Sequence, residues 1–229
     1  LAADYSQVEL RMLAHLSGDE NLQAAFHRGD DIHAAVAAEV EGVPLEAVDG
    51  AARTAAKMVN FGIVYGVTAY GLARRLGGDT DVARADQIIR DYKARYPAIE
   101  AFLEACVEQA RREGSVSTIL GRRRSIPQVH ARNPQERAQG ERMAINTVVQ
   151  GSAADLIKRA MIDLHQALPM RFSTSRMILQ IHDELVFEVP EVEIEAVADL
   201  VRERMENAME LSVPLVAEPS WGTSWADTK

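Results

Sequence analysis

MILQIHDELVFEV, residues 177–189, reads as two short apolar strands, Met177–Ile181 and Leu185–Val189, folded back on each other at His182–Asp183–Glu184. A carboxylate held ionised between apolar strands is costly unless something compensates it. An acid in a tight turn is also commonplace, so Asp183 alone decides little. The start of the chain supplies a match: Leu1–Ala3 is apolar and leads to Asp4, as at the end of a short buried strand. Two carboxylates at the ends of neighbouring strands can hold a pair of magnesium ions, which take oxygen ligands and keep waters for a phosphate substrate.

Between these two places the periodicity is helical. Val8, Met12 and Leu16 share a face of a helix over 7–16, stopped by Gly18. Helical segments follow at 20–27 and 32–40, and Asp49 can cap a helix over 50–65 that ends at Gly66. Helices near 81–95 and 98–112 are separated by Pro97, and Ser115–Leu120 has strand character before a basic loop over 121–131. Asn133 and Pro134 occupy cap and first-turn positions of a helix expected to reach Val149. Gly140 weakens it by about 1 kcal/mol relative to alanine. Ser152 and Asp155 match a capping box for a further helix ending near Leu168, and a last helix covers 191–210. The expected fold class is α+β: a long helical insertion that returns to a small sheet.

Within the 50–65 helix, Arg53, Lys57, Phe61 and Tyr65 recur every four residues. Each step advances about 40° around the axis, so the four side chains share one face, with Ala52, Ala56, Val59 and Ile63 on another. Two cations, a ring and a phenol in that order suit a nucleoside triphosphate lying along the helix. An ordinary solvated basic face fits the same pattern. Arg142, Asn146 and Gln150 repeat the spacing, and a row of hydrogen-bonding groups can reach the minor-groove acceptors present in every base pair.

Net charge is −9, but it is unevenly spread. Eight arginines face three glutamates between Arg111 and Arg142, whereas nine acids face three bases from Glu191 onward. A basic track for a phosphate backbone is compatible with acidity elsewhere. No apolar run approaches the roughly 20 residues that span a bilayer, which argues against a membrane role. Cys106 is the sole cysteine, so an intrachain disulfide and a cysteine metal cluster are excluded. A cytoplasmic protein is expected.

Three segments then lift these patterns above their separate weights. DYSQVELRMLAHLSGDE (4–20), RTAAKMVNFGIVYG (53–66) and QIHDELVFEV (180–189) closely resemble motifs A, B and C of family A DNA polymerases, the bacterial DNA polymerase I group, and stand in that family's order. DIHAAVA (31–37), GRRRSIP (121–127) and QGSAADLIKRAM (150–161) resemble the family too, so the likeness covers essentially the whole chain. It implies a right-hand polymerase fold truncated at its N-terminus: palm over 1–17, fingers over 18–120 and palm again over 121–229. The implied activity is addition of deoxynucleotides to a primer 3′ end, with pyrophosphate released, in replication or repair in a bacterial or phage-infected cell. The implied cofactor is Mg2+, two ions, with Mn2+ able to substitute. Primer–template DNA, deoxynucleoside triphosphates and an upstream part of the same polymerase are the implied partners.

By the same resemblance, Asp4 and Asp183 are metal-binding aspartates, with the Tyr5 carbonyl as a further ligand and Glu184 beside the metal site. Arg53, Lys57 and His33 hold the incoming phosphates, and Lys57 protonates departing pyrophosphate. Phe61 and Tyr65 cover the nascent pair. Glu9 is the steric gate against a 2′-hydroxyl, with Gln7 close by. Arg142, Asn146, Gln150 and His182 touch the primer–template end, and Arg122, Arg123 and Arg124 contact its backbone. A single-subunit RNA polymerase would lack Glu9 and the HDE turn at 182–184, and a non-catalytic remnant would have lost an aspartate or Lys57. The sequence departs from the family at Gln139–Gly140, where many relatives carry two small helix formers, and at Thr147–Val148, where a proline is frequent.

The chain opens at Leu1 without a methionine, which leads one to expect missing upstream residues. Only three residues precede Asp4, fewer than the roughly 5–6 of a typical strand. Chain ends fray unless tied down, so this strand is expected to be poorly secured and the 229 residues alone nearly inactive.

Overall fold

A computed structural model describes residues 1–77 and 80–228. In chain order its regular elements are β1 (Ala2–Tyr5), α1 (Val8–Ser17), α2 (Glu20–Arg28), α3 (Ile32–Glu41), α4 (Gly50–Val64), α5 (Ala69–Leu76), α6 (Val82–Arg95) and α7 (Pro97–Glu113). There follow β2 (Ser115–Ser117), β3 (Arg123–Ser125), α8 (Pro134–Arg171), β4 (Arg176–Ile181), β5 (Glu184–Glu188), α9 (Ile194–Glu206) and β6 (Ala217–Ser220). The residues form two compact units. One comprises Leu1–Met12, Thr118–Arg122 and the chain from Val149 on; the other comprises Leu13–Ser117 and Arg123–Val148. The fold is α+β, helical with small antiparallel sheets.

The first unit is built on a four-stranded sheet in the order β4-β5-β1-β6. β1 is therefore an inner strand, with Ala2 opposite both Val186 and Ser220. Leu1, just before it, is tied in both directions: its nitrogen donates to the Phe187 carbonyl at 3.1 Å, and the Phe187 amide donates back at 2.8 Å. This corrects the expectation of an unsecured strand. Bonds to partners nearly 200 positions away hold it, and strand length carries no trace of them. Ala2, Ala3 and Tyr5 are buried, and the Tyr5 hydroxyl donates to the Met205 carbonyl of α9 at 2.6 Å, so Asp4 alone on this strand opens to solvent. The 177–189 hairpin forms as read, but β4 is the sheet's edge and leaves Ile178 and Leu179 exposed.

The second unit is helical. Asp49 caps α4 by accepting from the Ala52 amide at 2.7 Å, and Asn133 caps α8 by accepting from the Gln135 amide at 2.9 Å. Cys106, Ala110, Val116, Ile126, Val129, Ala144, Ile145 and Val148 form one continuous apolar core. In this unit α5, capped by the Thr68 hydroxyl, and β3, which pairs with β2 inside the basic loop, have no sequence counterpart. The strand expected over 115–120 stops at Ser117.

The capping box at Ser152 and Asp155 is a misreading. α8 runs unbroken from Pro134 to Arg171, and both residues lie inside it with their side chains turned to other partners.

Gly140 acquires a reason. A Cβ placed there would lie 2.6 Å from the Val129 amide nitrogen and 2.7 Å from the Gln128 carbonyl carbon, both backbone atoms of a 3-10 turn over Pro127–His130. Alanine in mid-helix ordinarily stabilises by about 0.5–1 kcal/mol over glycine. Here overpacking opposes that gain, and Gly140→Ala is expected to destabilise by about 1–3 kcal/mol. Thermal denaturation checks the sign: a Tm equal to or above that of the parent would mean that the turn moves aside freely.

Candidate active site

Asp4 lies opposite Glu184 of β5 on one side and Glu218 of β6 on the other. Directly opposed residues of antiparallel strands project from the same face, so three carboxylates stand in a row across three strands. Like charges so placed are mutually destabilising. Partial burial, and then the charges of Asp183, Glu184 and Glu218, push the Asp4 carboxyl up to about 6. Asp183 sits in the adjoining turn, and its carbonyl accepts from the Tyr5 amide at 3.3 Å, which fixes the two aspartate-bearing segments against each other. Glu184 is steadied by the Trp225 indole, which donates at 2.7 Å.

Two non-glycine residues among those described have positive φ: Gln7 at 52° and His182 at 54°. One follows Asp4 by three positions and the other precedes Asp183. Strain of this kind persists where surrounding structure enforces it, and clusters at working sites. The Gln7 side-chain oxygen is also buried without a hydrogen-bond partner among the described residues. The whole arrangement is acidic, oxygen-rich and electrostatically frustrated, which is the chemistry a divalent cation relieves. Among the described residues no three His, Cys, Asp or Glu side chains converge as a complete cage. A divalent cation bound here would draw further ligands from water and phosphate.

In the helical unit, α4 presents the face anticipated from its spacing. Arg53 and Lys57 are exposed and Phe61 and Tyr65 partly so, while Ala52, Ala56, Val59 and Ile63 are buried. The rings of Phe61 and Tyr65 lie 6.2 Å apart and 11° from parallel. Arg53 donates from Nε to Asp31 Oδ2 at 2.5 Å, and Asp31 also caps α3. Burial raises the Asp31 carboxyl, but the Arg53 hydrogen bond and the Ala34 and His33 amides outweigh it and hold it below the usual carboxylate range. His33 is buried, shares a 2.9 Å hydrogen bond between Nδ1 and Asn60 Nδ2, and meets the Phe61 ring at 5.8 Å. Burial pushes its imidazole down to about 4, the Arg53 and Lys57 charges adding to this against Asp31. At neutral pH it is an uncharged hydrogen-bonding group.

Arg142, Asn146 and Gln150 fall on successive turns of α8, with Arg142 and Gln150 exposed. The Asn146 side-chain oxygen is buried with no described hydrogen-bond partner. Arg122, Arg123 and Arg124 are all exposed, yet each is anchored: Arg122 on Asp155, Arg123 on the Ser115 hydroxyl at 2.7 Å, and Arg124 on the Thr147 hydroxyl at 3.2 Å. Thr147 in turn donates to the Met143 carbonyl at 2.7 Å.

The sequence profile described as DNA polymerase family A matches residues 1–227. The chain belongs to that family. DNA polymerase I of Lactococcus lactis subsp. cremoris is 47% identical over 232 residues, an alignment covering 100% of this chain and 26% of that protein. The Bacillus subtilis and Mycobacterium tuberculosis proteins of the same name are 47% and 46% identical, over 100% and 98% of this chain. A solved structure titled "POL domain of Pol1 from M. smegmatis complex with DNA primer-template and dNTP" superposes with a TM-score of 0.93 at 43% identity, over 99% of this chain and 40% of that one. The chain thus spans about a quarter of the length of the curated relatives it matches. No helix among the described residues is long and apolar enough to cross a membrane.

Three residues of this family A chain were missed in the sequence. Glu218 escaped because β6 carries Pro219 and reads as loop. Asp31 was passed over within DIHAAVA, although a cap residue facing an arginine twenty-two positions on is invisible in one dimension. Asp155 was read as a capping residue.

Proposed function

We propose that the chain performs template-directed DNA synthesis, extending a primer by phosphoryl transfer from deoxynucleoside triphosphates. The observation that carries this is the frustrated carboxylate row Glu184–Asp4–Glu218 with Asp183 beside it, in a chain of the polymerase family. The palm is proposed over 1–17 and 121–229 and the fingers over 18–120. The Pol1 structure named above holds a primer–template and a dNTP, and the same partners are proposed here, together with polypeptide corresponding to the remainder of the relatives' length.

Asp4, Asp183 and the Tyr5 carbonyl would hold two divalent ions, Mg2+ or Mn2+ in its place. Such ions, when bound, lower the pKa of the primer hydroxyl and neutralise the leaving pyrophosphate. The protein's own work is positioning and charge. Arg53, oriented by Asp31, and Lys57 bind triphosphate oxygens. Neutral His33 contributes a hydrogen bond rather than a charge. Phe61 and Tyr65 supply parallel apolar faces for the new base pair. Arg142, Asn146, Gln150 and His182 hold the primer–template end, and the anchored arginines 122–124 hold its backbone.

Primer extension tests the reading. Extension with deoxynucleotides in magnesium, abolished by EDTA, is expected, and failure to extend even with the remaining polypeptide of a relative supplied would overturn it. Glu9 lies in the first turn of α1, five residues after Asp4. As the proposed gate against a 2′-hydroxyl, its truncation in Glu9→Ala is expected to raise ribonucleotide incorporation relative to deoxynucleotide by about 10²-fold, the scale of a lost steric and polar exclusion. An unchanged ratio in single-nucleotide competition would remove Glu9 from that role.

A further inference from the structure

Residues 118–122 form a closed turn. The Thr118 amide donates to the Arg122 carbonyl at 3.0 Å and the Gly121 amide to the Thr118 carbonyl at 2.9 Å, with Gly121 at a φ of 79°. Two side chains one turn apart on α8 clamp it. Ser152 accepts from the Ile119 amide at 2.9 Å. Asp155, wholly buried at its side chain, accepts from the Thr118 hydroxyl and takes both Nε and Nη2 of Arg122 on Oδ1, at 2.9 and 2.8 Å. The Thr118 hydroxyl also accepts from the Arg122 amide at 3.1 Å, so backbone and guanidinium of Arg122 converge on one carboxylate.

A charge buried this completely is retained at a desolvation cost unless its partners are well placed. Its partner is an arginine whose side chain is 60% exposed. A guanidinium is a rigid planar fork, so fixing one edge fixes the direction of the other. We propose that Asp155 is a positioning residue for DNA binding: it holds the Nε edge of Arg122 so that the Nη1 edge meets a backbone phosphate in one preset orientation. This rests on the reading of Arg122 as a DNA contact and adds the residue that makes the contact specific in direction.

A double-mutant cycle on primer–template affinity tests it. Arg122→Ala is expected to weaken binding about three- to tenfold and to lower the steepness of log K against log salt by about 0.9, the loss of one phosphate contact. Asp155→Asn keeps the shape and removes the charge. It is expected to weaken binding by a similar factor, to leave the extension rate at saturating DNA within about twofold, and to add nothing in the Arg122→Ala background. If Asp155→Asn does not fold by circular dichroism, Thr118→Val, which removes the hydroxyl bridging carboxylate and amide, reads the same coupling. Full multiplication of the two effects would assign Asp155 to general stability and overturn the proposal. Tighter binding by Asp155→Asn would show that Asp155 merely screens Arg122, and a silent Arg122→Ala would remove the contact; either overturns it as well. Coupled binding in a parent that does not extend primers would instead sink the polymerase reading and leave this one standing.

Discussion

Asp183→Asn is expected to reduce primer extension by at least about 10²-fold, as loss of a proposed metal ligand should, while primer–template affinity changes by less than about threefold. The backbone at this turn is held independently of the side chain, through the Tyr5 amide to the Asp183 carbonyl and the pairing of Ile181 with Glu184. Asparagine therefore leaves the scaffold in place and removes charge alone. A second consequence separates this variant from a merely damaged protein. The Asp183 charge contributes to raising Asp4 to about 6. A group with a raised folded-state pKa contributes stability at low pH that is lost as pH rises through the folded value. Removing a charge that opposes its ionisation should make the folded state at pH 7 no less stable, and its Tm equal or higher. Activity falling while Tm holds is the expected signature. Extension within about fivefold of the parent in magnesium would mean that Asp183 is not a metal ligand.

Lys57→Ala is expected to lower the extension rate by about 10²–10⁴-fold, the range of a lost general acid. Arg53 and Lys57 share the exposed face of α4, but they stand differently. Arg53 is committed to Asp31 at 2.5 Å, whereas Lys57 takes part in none of the described hydrogen bonds or ion pairs. An untethered ammonium can follow the leaving group, and unlike a guanidinium it can give up a proton. Lys57→Arg separates charge from proton transfer. It should keep the KM for the triphosphate within about threefold and lose nearly as much kcat as alanine does. Single-turnover quench-flow with each variant gives both numbers. A Lys57→Arg enzyme with parental kcat would show that position 57 supplies charge alone.

Local chemistry was legible wherever it is written in adjacent or regularly spaced residues. The four-residue repeat from Arg53 to Tyr65 placed cations and rings on one face of α4 and alanine, valine and isoleucine on the other, because helical periodicity converts spacing directly into direction. The caps at Asp49 and Asn133 were legible for the same reason, since a cap acts within three residues. The hairpin at 177–189 followed from two apolar runs separated by polar turn residues. The motifs carried the family, because their length and order exclude coincidence.

Contacts between distant segments were not legible, and they supplied the meaning of several residues. Asp155 resembles a capping residue three places after Ser152, and only the packing of 118–122 onto α8 turns both toward that loop. Gly140 looks like a weak point in a helix until the backbone of Gln128 and Val129 arrives against it. Leu1–Tyr5 looks like a fraying end until β5 and β6 close on both sides. The sequence by itself determined the 50–65 helix and its faces, the hairpin and the family, all properties of local spacing or of long motifs, and it put Asp4 and Asp183 forward as a pair. Only the tertiary structure decided that Asp4 stands between Glu184 and Glu218, because strand register across the sheet is set by pairing between residues up to 218 positions apart, as Ala2 is from Ser220, and no local pattern encodes it.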